Sequence, residues 1–253
     1  MADRADRPDA RRELAGAFTA GADAYDRLRP GYPPAAMELI IPAGARDAAD
    51  VGAGTGKLAT QLTAAGLSVW AIDPAAQMLA LVPAGVESRV GTGEHTGLPD
   101  ASVDLVTFGQ SWHWVDAEAG TRELHRILRP GGRVAMLWNK LDTSVPWVAR
   151  YADAMHTVDP RTDHEREVRR QAPAGLAGFG RIETREVPWR MIMTEADLAM
   201  LAETRSYWLA ADDAVKHPAR ELIMAAVGAA PRAADGRVSV PYATEVAWAD
   251  RRG

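Results

Sequence analysis

The sequence predicts an α/β fold built on a mostly parallel sheet, and three observations predict it. Between residues 42 and 138, short apolar runs alternate with amphipathic segments. A glycine-rich turn, Gly52-Ala53-Gly54-Thr55-Gly56, joins the first apolar run to the first amphipathic segment. Stop signals punctuate the alternation at Gly66, at Asp73-Pro74 and at Pro130-Gly131-Gly132. Strands separated by helices in this rhythm form right-handed βαβ units, which set neighbouring strands parallel.

Ala48-Ala49-Asp50-Val51 is the end of a buried first strand. Lys57 to Ala65 is a helix with Leu58 and Leu62 inward, closed by Gly66 as a C-cap. Val69 to Ile72 is the second strand, Ala75 to Val82 a helix and Val86 to Val90 the third strand. Val103 to Phe108 is the fourth, an apolar run interrupted only by Asp104 and Thr107. Asp116 to Leu128 is an amphipathic helix, and Arg133 to Trp138 is the fifth strand. Upstream, Arg12 to Tyr25 and Ala35 to Ile41 read as short helices. Between them, the prolines and glycine of Arg29-Pro30-Gly31-Tyr32-Pro33-Pro34 exclude regular helix. Residues 1–12 read as a solvated, mobile leader. Downstream, Tyr151 to Gln171 is charge-rich and helical, and Ile182 to Met193 is a sixth strand with Pro188 as an edge or bulge signal. Thr194 to Leu209 is a helix capped by Thr194, and Val238 to Trp248 is a seventh strand. Residues 210–230 receive no element.

Composition narrows the function. The 253 residues suit one α/β domain, and 47% hydrophobic with 25% charged is ordinary globular composition. A net charge of -5 argues against a general nucleic-acid binder, which needs a basic face. With no cysteine, disulfides, thiolate catalysis and Cys-ligated zinc are impossible. The six histidines show no metal-ligand spacing, so no metal is expected. No apolar stretch approaches the ~20 residues of a membrane span, and the N-terminus lacks the apolar core of a signal peptide, which is compatible with a cytoplasmic protein.

The glycine-rich loop discriminates among nucleotide ligands. A P-loop requires a glycine five residues before the Gly-Lys pair and Ser or Thr after it; here those places hold Val51 and Leu58. A dinucleotide loop, counted from Gly52, requires glycine where Lys57 stands. The observed G-x-G-x-G preceded by Asp50 instead resembles the first motif of class I S-adenosylmethionine (SAM)-dependent methyltransferases. Asp73, about 20 residues on, ends the second strand, where a carboxylate accepts both ribose hydroxyls of a nucleoside; an NAD site satisfies this equally. Val90 to Glu94 with Leu98-Pro99, Val103 to Val106, and Leu128 to Gly132 are similar to later motifs of the same family, in the same order. Tyr25 to Pro33 and Gln110 to Asp116 further resemble the small-molecule subgroup related to trans-aconitate-type methyltransferases.

The resemblance implies a Rossmann-like, mostly parallel seven-stranded sheet with helices on both faces and a helical cap. It divides one domain into an N-terminal cap (13–41), a SAM-binding half (42–140) and a substrate-side half (141–253). Gly52, Ala53, Gly54 and Gly56 would contact the methionine portion of SAM, with Asp50 near its amino group through water. Asp73 and Pro74 would hold the ribose, and Thr92, Gly93 and Glu94 would border the adenine. Met78 would pack on the adenine face, or simply in the core. Gln110 would lie near the sulfonium, and Tyr25 and Arg29 would close over the cofactor's carboxylate.

Reactions on open α/β sheets occur beyond the carboxyl ends of the strands. Gln110-Ser111-Trp112-His113-Trp114 lies there. His113 has a side chain suited to removing a proton near neutrality, and positioning and structural roles also remain open for it. Trp112 and Trp114 wall an apolar pocket or pack in the core. Ser206, Tyr207 and Trp208, on a late helix, would face the substrate as the corresponding cap region of the family does, or Trp208 packs with Leu209 in the core. The expected partner is a small-molecule methyl acceptor offering oxygen, nitrogen or carboxylate, with no nucleic acid and no membrane, and the chain is expected to be a monomer or homodimer. The alanine and arginine content suggests a GC-rich bacterial genome, in which secondary metabolism is a setting. Three other readings stay open: a SAM-binding enzyme catalysing a non-methylating reaction, a SAM-binding regulatory module, and an NAD(P) oxidoreductase.

Overall fold

A computed structural model describes residues 28–159 and 172–252. Seven strands are present: β1 (Asp47–Val51), β2 (Ser68–Asp73), β3 (Glu87–Val90), β4 (Val103–Gly109), β5 (Leu128–Leu141), β6 (Glu183–Met193) and β7 (Val238–Asp250). They form one sheet in the order β3-β2-β1-β4-β5-β7-β6. The first five pair in parallel. β7 does not: Gly131 N–H donates to Arg251 O, Arg251 N–H to Gly132 O and Asp142 N–H to Pro241 O. Partner numbers fall along β7 as they rise along β5, which marks antiparallel pairing. The sheet is therefore mixed, which narrows the expected mostly parallel sheet to its first five strands.

The described residues divide into two compact units. The larger draws on 31–139, 172–187 and 244–252, and the smaller on 28–30, 140–159 and 188–243. In the larger unit, side chains sort by the two-residue period of a strand. Ala49, Val51, Val106, Phe108, Met136 and Trp138 enter one apolar cluster, with Leu124 and Ile127 of helix α4 (Ala117–Ile127). Their neighbours Ala48, Leu105, Ala135 and Leu137 enter a second, with Ile40 of α1 (Pro34–Ile40) and Leu62 of α2 (Lys57–Ala64). Helices thus cover both faces. β1 and β4 are buried on both sides, which is why they read as near-continuous apolar runs.

Local chemistry sets the helix ends. Pro34 opens α1, where a missing N–H costs nothing. Asp116 caps α4, its Oδ1 accepting from Ala119 N–H at 3.0 Å. The helix after β2, α3 (Ala76–Leu79), is shorter than the expected Ala75 to Val82. β5 begins five residues before the expected Arg133, so Pro130-Gly131-Gly132 lies inside the strand. Val103 pairs with Leu128 and Leu105 with Arg133, so β4 advances two residues while β5 absorbs the turn as a bulge.

The smaller unit holds α5 (Pro146–His156), α6 (Glu195–Glu203), α7 (Ser206–Ala210) and α8 (Asp213–Gly228). Trp147, Tyr151, Trp208, Ile223 and Tyr242 are among its buried residues. Tyr151 Oη donates to Leu198 O at 2.7 Å. The expected helix from Tyr151 is present as the end of α5; the remainder of its span, 160–171, lies outside the described residues, as do the leader and the Arg12 to Tyr25 helix. Thr194 caps α6 as expected, accepting from Asp197 N–H at 3.1 Å. The single helix expected to reach Leu209 is instead two. Thr204 Oγ1 turns back onto Leu201 O at 2.7 Å, and Arg205 is extended, with φ -72° and ψ 142°.

The unassigned stretch contains the 16-residue helix α8, which carries Pro218 in its interior. Proline removes an N–H and crowds the preceding turn. Pro218→Ala should therefore stabilise the fold, by about 1–3 kcal/mol on the scale of interior proline costs. Urea denaturation measures this, and an unchanged midpoint would mean that the helix has relaxed around the ring.

Candidate functional site

The strand order reverses between β1 and β4: the chain leaves β1 toward β2 and β3, then returns to place β4 on the other side. At such a switch point the connections diverge and open a crevice beyond the carboxyl ends of the strands. Gly52–Gly56 leaves β1 there, Asp73 ends β2, residues 92–94 follow β3, and Gln110 follows β4. These predicted residues all stand at the same end of the strands of the larger unit.

The loop after β1 is built for close approach. Gly52 has φ 72°, and a Cβ on it would lie 2.4 Å from Ser111 Cβ. Ser111 Oγ donates to Val51 O at 2.6 Å, tying the loop after β4 to the end of β1. Gly54 has φ 58°, and the nearest atom to a Cβ there is Met78 Cε at 3.7 Å. Met78, half-buried on α3, thus stands over the glycine loop. Gly52 N–H and Ala53 N–H both donate to Ile72 O, which knits the loop to β2.

Two carboxylates frame this loop. Asp73 is 7% exposed; its Oδ2 accepts from Gly54 N–H at 3.0 Å and its Oδ1 from Ala75 N–H at 2.9 Å. A carboxylate offers about four lone-pair sites, so these two bonds fix its orientation and leave acceptor capacity toward the crevice. Asp50 is 1% exposed; its Oδ1 accepts from Thr107 Oγ1 at 3.0 Å and its Oδ2 from Ala59 N–H at 3.1 Å. Burial pushes the Asp50 carboxyl up, the bonds from Thr107 and Ala59 pull it back, and Asp73 pushes it up again, to about 7. Both of its oxygens therefore face the protein.

The loop after β3 is held from below. Thr92 Oγ1 accepts from Glu94 N–H and His95 N–H, and Glu94 Oε1 accepts from Asp116 N–H at 2.7 Å. Gly93 lies against Val115 so closely that a Cβ would fall 2.5 Å from Val115 Cγ2. Buried Glu123 accepts from Thr96 N–H at 2.8 Å and from Arg126 through both oxygens, while Arg126 also donates to Leu98 O and Asp100. Burial pushes the Glu123 carboxyl up, but Arg126 and Thr96 outweigh it and hold it below the ordinary range.

At the end of β4, Gln110 adopts a left-handed backbone, φ 60°, uncommon outside glycine. Its N–H donates to Leu137 O at 2.9 Å and its Nε2 to Asn139 O at 3.3 Å. Asn139 donates through Nδ2 to Gly31 O at 2.9 Å and accepts from Thr244 Oγ1 at 2.6 Å. Trp112 is buried, edge-on to Phe108 at 5.0 Å, and so belongs to the core. His113 and Trp114 are half-buried, their rings 4.9 Å apart and tilted by 41°.

Pro74 is exposed beside Asp73. Arg29 and Tyr207 belong to the smaller unit; Arg29 Nη2 donates to Thr204 O at 2.9 Å, and Tyr207 is half-buried against that unit's core. Tyr25 lies outside the described residues. The sequence reading missed Ser111, Thr107, Glu123 and Asn139. Each serves through a partner distant in sequence, a signal that pattern alone does not carry. Among the described residues no helix is long and apolar enough to cross a membrane, and no group of three His, Asp or Glu side chains gathers as a metal site.

A glycine loop at the switch point of a Rossmann-like sheet defines a class of cofactor-binding enzymes, and comparison with known proteins narrows it. Residues 49–136 match the methyltransferase domain family. The chain is 35% identical over 239 residues to an uncharacterized methyltransferase of Mycobacterium tuberculosis, covering 92% of this chain and 95% of that one. It is 27% identical over 201 residues to an uncharacterized methyltransferase-like protein of Schizosaccharomyces pombe, covering 72% and 75%. Among solved structures, a candidate type II methyltransferase of Anaeromyxobacter dehalogenans superposes with a TM-score of 0.63 at 24% identity, covering 88% of this chain and 97% of that one. A Haemonchus contortus phosphoethanolamine N-methyltransferase, solved with S-adenosylhomocysteine, superposes with a TM-score of 0.52 at 18% identity, covering 95% and 58%. The chain belongs to the class I SAM-dependent methyltransferase family.

Two outcomes follow from the geometry. A carboxyl raised from its unfolded value of 3.8 to about 7 stabilises the fold fully below pH 3.8, and that contribution is lost as pH rises through 7. Asp50→Asn can accept from Ala59 and donate to Thr107, so melting curves across that window should show a flatter pH dependence; an unaltered profile would mean that Asp50 does not titrate there. Gly52→Ala should destabilise the fold by more than the ~1–2 kcal/mol of a left-handed alanine, because its methyl also strikes Ser111. Denaturant titration checks this, and a cost within a few tenths of a kcal/mol contradicts the packing described.

Proposed function

We propose that this chain transfers the methyl group of SAM to a small-molecule acceptor. One observation carries the reading: the Asp73 carboxylate and the bare backbone of Gly52–Gly56 meet at the β1/β4 switch point, joined by the Gly54 N–H bond of 3.0 Å. The residues suit the cofactor. Asp73 offers acceptor sites to two ribose hydroxyls. Gly52 and Gly54 let the amino-acid tail lie against main chain, with Ala53 and Gly56 completing the turn. Asp50, turned inward, acts by holding the loop. Met78 supplies a polarisable surface for the adenine face, and Thr92, Gly93 and Glu94 supply a rigid edge. The segments Tyr25 to Pro33 and Gln110 to Asp116 support placement in the trans-aconitate-type, small-molecule subgroup.

Bound SAM would supply a methyl carbon already activated by its sulfonium, so the protein's task is alignment and water exclusion. Gln110, fixed by Asn139 and by its own left-handed backbone, presents its amide beyond β4. His113 is the candidate to take a proton from an O–H or N–H acceptor at one of its ring nitrogens. An acceptor already ionised as a carboxylate has no such proton, and His113 would then act by position. Trp114 shields one side of that imidazole.

Calorimetric titration with S-adenosylhomocysteine tests the cofactor site. Binding is expected in the wild type, weakened by roughly 10–100-fold in Asp73→Ala, on the scale of hydrogen bonds to a charged group. Absence of heat with well-folded protein would sink the reading. With an acceptor in hand, His113→Ala should lower kcat by ~10²-fold or more if His113 is the base; an unchanged kcat removes that role.

A further inference from the structure

Within the larger unit, β3 ends the strand order, and among the described residues no strand pairs with its outer side. All of its side chains are exposed. Val90, at 62%, is the most exposed large apolar side chain among the described residues. Folded proteins usually cover such an edge or charge it, because its unmet N–H and C=O groups are a template for another strand. The charges on β3 are placed so that they fit one strand in particular.

Backbone direction limits how that edge can pair. β3 runs parallel to β2 from Trp70↔Glu87 to Asp73↔Val90, and Gly91 N–H donates to Asp73 O. Alternate residues of a strand turn their backbone groups to opposite sides. Glu87 and Arg89 therefore bond β2, while Val86, Ser88 and Val90 turn outward. Val86 N–H is taken by Pro83 O at 3.4 Å, which leaves its carbonyl. Side chains alternate as well. Arg89 lies over the Trp70 ring at 5.0 Å, and Glu87 shares that face of the sheet; Val86, Ser88 and Val90 share the other. Only outward groups can pair, so a second β3, laid antiparallel, has few registers. Centred on Glu87, it sets Glu87 against Glu87. Centred on Arg89, it sets Arg89 against Arg89. Centred on Ser88, it sets Glu87 against Arg89 and Val86 against Val90, each contact twice. Opposite charges directly across a strand pair stabilise it and like charges destabilise it.

We propose that β3 is a self-association edge, at which two copies of this chain pair antiparallel about Ser88 and continue one sheet into the other. Ser88 N–H donates to Ser88 O of the other copy, and Val90 N–H to its Val86 O. Glu87 faces its Arg89. A two-fold interface must be complementary to itself, and this strand is; a foreign strand has no reason to read the same in both directions. Arg89 commits Nη1 to Gly97 O, and its guanidinium retains further N–H donors. With four residues in β3, the contact is small, so the dimer is weak and reversible. Its charges are exposed, so salt weakens it. This inference goes beyond the methyl-transfer reading and does not rest on it.

Sedimentation velocity of the full chain at rising concentration should show a monomer–dimer equilibrium. Glu87→Arg sets arginine against Arg89, and Arg89→Glu sets glutamate against Glu87, so each variant alone should dimerise about 10-fold or more weakly. Mixed in equal amounts, the two variants regain opposite charges at both contacts and should associate with each other. Melting curves establish that both are folded; Glu87 is exposed, so Glu87→Arg decides the matter even if Arg89→Glu is not. The register has its own readout. The chain has no cysteine, and residues directly opposed in a hydrogen-bonded pair have Cα atoms about 5.5 Å apart, within disulfide reach. Ser88→Cys should therefore give a covalent dimer under mild oxidation, and adding Glu87→Arg should suppress it. A chain that stays monomeric at every concentration, a dimer indifferent to Glu87→Arg, or folded charge variants that do not associate when mixed would overturn the proposal.

Discussion

The inward-facing carboxylate of Asp50 is the group on which the rest of the larger unit depends. It sits on β1 opposite Thr107 of β4, and it reaches both that hydroxyl and the Ala59 amide of α2. Three elements that diverge at the switch point are thus pinned at one atom group. Such a buried polar network is worth having only when every member is satisfied, and here both oxygens are. The glycine loop can then be nearly side-chain-free without collapsing, because its neighbours are held from beneath. Asp73 repeats the device one strand over: it bonds Gly54 and Ala75 and so aligns the loop with the start of α3.

The legible part of the fold is the part governed by local rules. β1, β2 and β4 stand out as apolar runs because they lie inside the sheet, and α2 and α4 stand out by their inward leucines. Asp116 and Thr194 cap as their side-chain chemistry dictates. What escapes is decided at a distance. The antiparallel seating of β7 depends on partners far along the chain, such as Gly131 with Arg251. The break at Thr204 and Arg205 follows from contacts no periodicity encodes, among them the Arg29 bond. α8 is hidden by Pro218, whose local signal says stop while the packing of Ile223 and Val227 says continue.

The site divides in the same way. The turn at Gly52 and Gly54 and the buried carboxylates Asp50 and Asp73 are readable as structure, because glycine accepts the positive φ that the turn needs and a buried carboxylate must find N–H or O–H donors nearby. Their roles are less so: Asp50, expected near the cofactor's amino group, turns both oxygens inward. Trp112 likewise reads the same in sequence whether it walls a pocket or packs on Phe108, and the structure sets it on Phe108. Ser111 and Asn139 are invisible to pattern because any polar residue could stand there; only the carbonyls of Val51 and Gly31 make them specific.

The Glu123–Arg126 clamp carries a thermodynamic consequence. By fixing the backbone of Thr96 and Leu98 against α4, it makes the chain surrender the conformational freedom of the segment after β3 while folding. A ligand resting on Thr92 to Glu94 would find a rigid ledge already in place, so little of its contact energy would be consumed in ordering the protein. Affinity at that edge would then be set by fit and desolvation, and two bases differing by one exocyclic group should be told apart by shape rather than by induced closure.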